Sequence, residues 1–234
     1  MSHFHVAIDG PAGSGKSTIS KKVSEELGLI HIDTGAMYRA ITYLALKQEI
    51  NLANEDAYLF LEDTKIDYHD DKIFLNGEDV TDLIRSDQVT KNVSLVSSLP
   101  KVRRYLVKIQ QESAKGKRVI MDGRDIGSVV LPNANLKIFL TAHVHERAKR
   151  RMRELQLKGL DIDLNAVIKD IEVRDEKDST RKDSPLIIPK DAIIVDTTHY
   201  TIDDTVNRIK KEILKKEAYY GRWNEKINGQ RECC

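Results

Sequence analysis

The chain has 234 residues, 40% hydrophobic and 32% charged, which is enough apolar material for a buried core and excludes a disordered or collagen-like chain. Its 38 basic and 37 acidic side chains leave a formal charge of +1, so no global pull toward nucleic acid or an anionic membrane exists, although a local cationic site is allowed. The longest unbroken apolar run, Ala57 to Leu61, is far short of the roughly 18 residues of a membrane span, and Met1 to His5 show no basic stretch followed by a long apolar one, so no secretory signal is expected.

A cytoplasmic protein of one large domain, or one domain with a smaller insertion, is therefore expected. In chain order, Phe4 to Ile8 predicts a short buried strand, and Ser17 to Leu27 a helix ended by Gly28. Leu29 to Asp33 predicts a second strand. Ala36 to Gln48 follows as a helix with Met37, Ile41, Leu44 and Ala45 at core spacing. This βαβα alternation points to an α/β protein with a parallel sheet. Thr64 to Thr81 breaks the rhythm and reads as an insertion of small antiparallel strands, with Asn76-Gly77 as a turn. After a helix from about Lys101 to Ala114, buried strands are predicted at Arg118 to Met121, Leu136 to Leu140 and Ala192 to Val195, which makes five parallel strands. His145 to Leu157 and Leu164 to Val173 predict helices, beside a polar segment ending in Arg174 to Arg181. From about Ala218 the periodicity fades and a partly disordered tail is expected. Cys233 and Cys234 are adjacent at its end, too close together to cross-link distant parts of a fold, and read as passive.

Gly10-Pro11-Ala12-Gly13-Ser14-Gly15-Lys16-Ser17 matches the full G-x-x-x-x-G-K-[ST] pattern between a predicted strand and a predicted helix. Glycines let backbone N–H groups curl around an anion, and the helix N-terminus adds its positive dipole. Lys16 neutralises β- and γ-phosphate charge, and the Ser17 hydroxyl suits Mg2+. The loop alone does not separate a kinase from a GTPase or another ATPase. A GTPase needs Asp-x-x-Gly downstream, yet no glycine of this chain has Asp three residues before it. Thr64-Lys65-Ile66-Asp67 imitates a guanine reader by letter only, since it comes too early and falls in the insertion.

Arg39, Arg103, Arg124, Arg174 and Arg181 fall at the ends of predicted elements, and Arg147, Arg150 and Arg151 share one further helix. Met121-Asp122-Gly123-Arg124-Asp125 ends a buried strand, on the edge where open α/β sheets bind ligands. Asp122 suits a Walker-B-like role, holding Mg2+ directly or through water. His143 and His145 look like a chelating pair, but i and i+2 point to nearly opposite sides of a helix, so no metal is expected there.

Gly10 to Thr18, Asp33 to Arg39, Asp122 to Gly127, Glu146 to Met152 and Arg174 to Arg181, in this order and spacing, resemble the bacterial cytidylate kinases from about Val6 to about Arg208. The resemblance implies a P-loop α/β fold with a five-stranded parallel sheet flanked by helices, an inserted nucleoside-monophosphate-binding subdomain and a short lid. The corresponding boundaries are a core at about 1–60, 101–145 and 185–216, the insertion at about 61–100, the lid region at about 146–184 with Arg147 to Arg153, and a tail at 218–234. It also implies transfer of the ATP γ-phosphoryl group to CMP or dCMP by a monomer, with Lys16, Arg150, Arg151 and Asp122 catalytic. Gly10 to Thr18 would bind the donor, and Ser17 and Asp122 would hold Mg2+. In the acceptor site Arg39, Arg124 and Arg181 would grip the phosphate, with Arg174 and Thr34 beside them. Asp178 would take the ribose hydroxyls, Tyr38 would pack nearby, and Ser94, Arg103 and Asp125 would read the cytosine edge. Cytosine offers an N4 amine beside N3 and O2 acceptors, which suits a carboxylate and an arginine; uracil reverses the first two groups. The alternatives left open are a UMP or dTMP kinase of the same fold, and a P-loop switch that binds a partner and hydrolyses ATP slowly.

Overall fold

The computed structural model describes residues 3–69, 71–157, 159–160 and 162–231, with residues 221–231 described as backbone only. Five strands form the main sheet: β1 (Phe4–Asp9), β2 (Ile30–Asp33), β6 (Arg118–Gly123), β7 (Leu136–Thr141) and β8 (Ile193–Asp196). The order β2-β6-β1-β7-β8 is parallel throughout, as the alternating pattern predicts. Between β2 and β6 lie three short strands, β3 (Ile66–His69), β4 (Lys72–Leu75) and β5 (Glu78–Asp79), which form a separate antiparallel sheet. Asn76 and Gly77 both take positive φ, 52° and 87°, which is the backbone a tight two-residue hairpin needs to match strand twist.

The helices are α1 (Lys16–Leu27), α2 (Thr34–Lys47), α3 (Asp87–Val96), α4 (Pro100–Ala114), α5 (Val144–Leu157), α6 (Leu164–Thr180) and α7 (Ile202–Arg231). Successive strand residues point to opposite faces, so the sheet feeds two cores. Phe4, Val6 and Ile8 pack with Ile19 and Val23 of α1 and with Val206, Ile209 and Ile213 of α7. Ala7 and Met121 face α2, α4 and the small sheet through Met37, Ile41, Leu106, Ile73 and Leu75. Each such buried aliphatic side chain contributes about 1.5–3 kcal/mol against leaving it exposed.

Three expectations change. α6 does not stop at Val173 but runs to Thr180, because its polar last turns face partners instead of solvent: Asp175 and Asp178 meet arginines, and the Ser179 and Thr180 hydroxyls bond back to the carbonyls of Asp175 and Glu176. The chain after Ala218 stays helical to Arg231, with Tyr220 edge-on to Phe4 at the bottom of the second core. Cys233 and Cys234 lie outside the described residues. His143 precedes α5 instead of belonging to it, so its ring stacks on that of His145, with centroids 5.5 Å apart, rather than pointing away. Among the described residues no group of three or more His, Cys, Asp or Glu is arranged to hold a metal. The sequence pattern also passed over α3, whose Val89, Val93 and Val96 repeat at helical spacing.

The main sheet meets the glycine loop at Gly10, where a Cβ would stand 1.9 Å from the Leu140 carbonyl oxygen of β7. Only glycine lets β1 turn there. Gly10→Ala is expected to cost about 3 kcal/mol or more and to lower the melting temperature by at least roughly 6 °C, which differential scanning calorimetry would measure.

Candidate active site

The carboxyl ends of β1, β6 and β2 carry the first half of the site. Gly13 and Gly15 take positive φ, 72° and 89°, and Gly15 caps α1, so the loop's amides turn inward over the helix N-terminus. Ser17, exposed at the start of α1, donates from Oγ to Asp122 Oδ2 at 2.7 Å. Lys16 is buried at 6% exposure and donates to the Pro11 carbonyl at 2.8 Å and to Ser14 Oγ at 3.2 Å. Burial, and after it the Arg124 guanidinium, push its ammonium pKa well below the usual range. Such a cation is stabilised by any anion that enters the loop.

Asp122 is fixed from both sides. Its Oδ1 lies 2.7 Å from His31 Nε2, and the other ring nitrogen of His31 is 3.2 Å from Asp71, in the turn of the small sheet. Both nitrogens face oxygens that only accept. Burial alone would lower the His31 pKa, but the two carboxylates hold it above its ordinary value. Thr34 donates to the Asp122 carbonyl at 2.8 Å and is buried, so its hydroxyl braces β6 from below.

The second half lies between α2, α3, α4, α6 and the end of β6. Arg103 pairs with Asp125, both buried, and its guanidinium sits 5.4 Å from the Tyr38 ring centroid. Arg181 lies 3.6 Å from Asp125 and 3.8 Å from Asp178, and Arg124 Nε donates to Asp178 Oδ2 at 2.7 Å. Asp178 is thus enclosed by guanidinium groups: burial would raise its pKa, but Arg124 and Arg174 hold it below the usual carboxylate range. Arg39 reaches Thr90 Oγ1 at 3.0 Å. A cavity of about 300 Å3 opens between α3 and α6, lined by Ser94, Leu95, Ser98, Lys177, Thr180 and Arg181.

The arginines outnumber the acids that face them. Arg174 is brought down to about 10 by burial and then by Arg124, with Arg39 and Arg151 adding to the repulsion. Arg39 is lowered as well, first by burial and then by Arg151, Arg85 and Arg124 against the pull of Asp33. Among the described residues, seven buried side-chain polar atoms have no hydrogen-bond partner, and five of them, on Tyr38, Ser94, Arg103, Arg174 and Arg181, belong to this region. A buried donor left unmade costs about 1–3 kcal/mol, so a cluster of them marks a place for a polar, anionic ligand.

The arginines of α5 separate. Arg147 is buried and donates to the Ala12 carbonyl at 2.8 Å and to Asp175 Oδ2 at 2.6 Å, while the other Asp175 oxygen accepts from the Ala12 N–H at 3.1 Å. It therefore ties α5 and α6 to the glycine loop. Arg150 donates to the Thr197 carbonyl at 2.7 Å and approaches the Ser14 carbonyl at 3.5 Å. Arg151 pairs with Glu154 at 2.9 Å on the rim. Next to Arg150 a wider cavity of about 570 Å3 lies at the ends of β7 and β8, lined by Thr141, Ala142, His143, Glu146, Asp196, Thr198 and His199.

Sequence reasoning missed Asp9, His31, Asp71, Asp175 and Thr197. Asp175 could have been found, since it follows Arg174 by one position and Arg147 is the cation it needs. His31 and Asp71 carried no signal, because they are 40 residues apart and meet only when the small sheet docks. The donor set of Ser17 Oγ and Asp122 Oδ2 consists of oxygens, as a hard divalent cation requires. Two protein oxygens make an incomplete shell, which suits a cation that keeps waters and shares phosphate oxygens.

A family model described as cytidylate kinase matches residues 6–215. A cytidylate kinase of Acholeplasma laidlawii is 55% identical over 89% of this chain and 94% of its own length. One of Ligilactobacillus salivarius is 53% identical over 91% of this chain and 97% of its own. In fold, the chain is similar to a solved structure of an uncharacterised protein from Eubacterium ventriosum, with a TM-score of 0.51 at 13% identity, covering 91% of this chain and 99% of that one.

The Arg147 tie yields a stability expectation. Asp175→Ala leaves the mostly buried Arg147 guanidinium with only the Ala12 and Ala142 backbone carbonyls and no counter-charge, and is expected to lose about 1–3 kcal/mol of unfolding free energy. Urea denaturation with an unchanged m-value would measure it.

Proposed function

The chain belongs to the cytidylate kinase family, and on that footing we propose how its side chains divide the work of the reaction. The enzyme transfers the γ-phosphoryl group of ATP to the phosphate of CMP, giving ADP and CDP. dCMP is proposed as a second acceptor. The observation that carries the residue assignment is the buried Arg103–Asp125 pair standing beside guanidinium groups that lack enough counter-charge. A base-reading carboxylate and arginine next to an anion hole match a nucleoside monophosphate with an exocyclic amine.

In this reading Gly10 to Thr18 cradle the donor phosphates, and Arg39, Arg124, Arg174 and Arg181 hold the acceptor phosphate. Asp125 accepts from cytosine N4, and Arg103 and Ser94 donate to the N3 and O2 side. Tyr38 supports Arg103 from its ring face, and Thr34 keeps β6 in place. Asp178 takes the ribose hydroxyls once a phosphate relieves it of part of its arginine contacts. An acceptor phosphate oxygen attacks Pγ while the bond from Pγ to the bridging oxygen of ADP breaks, so the protein's contribution is alignment and charge. Lys16, Arg150 and Arg151 stabilise the charge that spreads over the transferring group. Ser17 and Asp122 would hold Mg2+, which would supply further neutralisation of the phosphate oxygens. The core, the insertion at about 61–100 and the lid region at about 146–184 are proposed as the three parts that close around both nucleotides and exclude water as a competing acceptor.

Measuring ADP formation from ATP with CMP, dCMP, UMP and dTMP tests the assignment, and a higher kcat/KM for UMP or dTMP than for CMP would sink it. A protein whose slow ATP hydrolysis is unmoved by CMP would instead be a switch. Within the same panel, Asp125→Ala is expected to lower kcat/KM for CMP by the equivalent of about 1–3 kcal/mol and to affect UMP much less. Equal losses for both acceptors would mean that Asp125 only supports the site.

Lys16→Ala is expected to lower kcat by at least about a hundredfold, the scale seen when a charge-stabilising donor is removed. Far-UV circular dichroism should be unchanged, because the ammonium makes no apolar contact that the fold needs. A folded variant with near-normal turnover would remove Lys16 from the mechanism.

A further inference from the structure

Asp9 is the last residue of β1 and the neighbour of Gly10, so it stands at the root of the phosphate loop. Its carboxylate is 1% exposed and makes two backbone contacts: Oδ1 accepts from the Ile126 N–H and Oδ2 from the Gly127 N–H, each at 2.7 Å. These two amides open the helical turn Ile126–Val130 that follows directly on Arg124 and Asp125. The Asp125 carbonyl in turn accepts from the Val129 and Val130 N–H groups, at 2.8 and 3.2 Å, so the turn and Asp125 move as one unit.

Backbone pairing cannot provide this connection. The ladder between β1 and β6 ends at Asp9 opposite Gly123, one residue before Arg124. Asp9 continues it with a side chain. The root of the connection is rigid, because Gly10 lies against the Leu140 carbonyl, and its far end fits closely, because a Cβ on Gly127 would stand 3.2 Å from Asp9 Oδ2 and 3.1 Å from Lys137 Cδ.

We propose that Asp9 is a positioning residue for acceptor selection: its two-point grip on the Ile126 and Gly127 amides sets where Arg124 and Asp125 stand relative to the phosphate loop. The inference rests on the reading of Asp125 as the residue that meets the cytosine amine. Asp9 touches neither nucleotide, so its effect on the base is exerted through Asp125.

The grip requires the ionised form, since a protonated carboxyl turns one accepting oxygen into a donor facing an N–H. Burial pushes Asp9 up to about 6, against the downward pull of the two amides. The charges around it are Asp125 from the turn, which raises it further, and Lys16 from α1, which lowers it. The stem of Lys137 from β7 lies against Gly127, with its ammonium 3.0 Å from Asp191, and on β6 Asp122 stands at the level of Ile8, one step below. The sign follows: the grip holds above about pH 6 and is released as pH falls through that value.

The test uses the full-length enzyme with Asp9→Asn, whose amide presents one acceptor and one donor to the same two N–H groups. At neutral pH, kcat/KM for CMP is expected to fall by about tenfold or more, the CMP:UMP ratio to shrink, and KM for ATP to stay within about twofold. The ratio of wild-type to variant kcat/KM for CMP should then fall as pH drops from 7.5 to 5.5. The acceptor's own phosphate titrates in this range too, but equally in both enzymes, so the ratio isolates Asp9. If Asp9→Asn does not fold, Asp9→Glu keeps the charge but displaces it by one methylene, and the same loss of base ratio at unchanged ATP affinity is expected. An unchanged CMP:UMP ratio, or equal losses for ATP and CMP, overturns the inference. Asp125→Ala run in parallel separates the causes: if it shrinks the ratio and the Asp9 variants do not, Asp9 is only a structural brace. If Asp125→Ala leaves the ratio intact, the base-reading assignment itself fails and the Asp9 inference falls with it.

Discussion

Guanidinium groups crowded at the carboxyl edge of one parallel sheet are the constraint that the rest of the structure serves. Like charges in a poorly solvated cleft repel: burial first, and then the Arg124 guanidinium, bring Arg174 down to about 10. The fold offsets part of this repulsion by giving some of them carboxylates of its own. Asp125 faces Arg103 and Arg181, and Asp178 faces Arg124 and Arg181. These pairs are weak evidence for stability, since desolvation offsets most of the attraction. In the proposed reading their use lies in exchange: an incoming phosphate would take over the arginines and free the carboxylates for the sugar and base.

Arginines from α2, α4, α6 and the end of β6 converge, and the fold achieves this through separate packing surfaces. α2 and α4 are anchored in one core with the small sheet, while α1 and α7 cover the opposite face. α5 and α6 pack on each other through Ala148, Val167 and Ile171, a small cluster separate from the other two. Their link to the phosphate loop is polar, through Arg147, Asp175 and Ala12. A polar link of a few hydrogen bonds can be remade at little net cost, whereas apolar burial cannot. The lid region proposed to close over the nucleotides is accordingly the one held by hydrogen bonds. The small sheet has a similar polar link, through Asp71 and His31 to Asp122.

Much of this was legible in the residue order. The glycine loop, the five strands and the hairpin at Asn76-Gly77 follow from local rules, because a phosphate cradle needs small residues before a helix and a hairpin needs positive φ at adjacent positions. The end of α6 was not legible, since a run of charged residues without apolar spacing looks like a loop until its partners are known. The same holds for the helical stretch beyond Ala218. Its anchoring depends on Tyr220 meeting Phe4, from the opposite end of the chain.

The sequence by itself determined the chemistry available: a phosphate loop, a carboxylate at the end of a buried strand, and a set of arginines at element ends, all carried by local patterns of residue type and spacing. Only the tertiary structure decided which of those groups meet. It turned Lys16 inward, enclosed Asp178 among arginines, gave Arg147 a structural tie to Asp175, and brought in His31 and Asp71, which no motif marked, and Asp9, whose partners are backbone amides. The physical reason is that a side chain's partner is set by strand register and helix docking over separations of 40 to more than 100 residues, and the partner is often a backbone amide, which every residue but proline carries and no sequence pattern distinguishes.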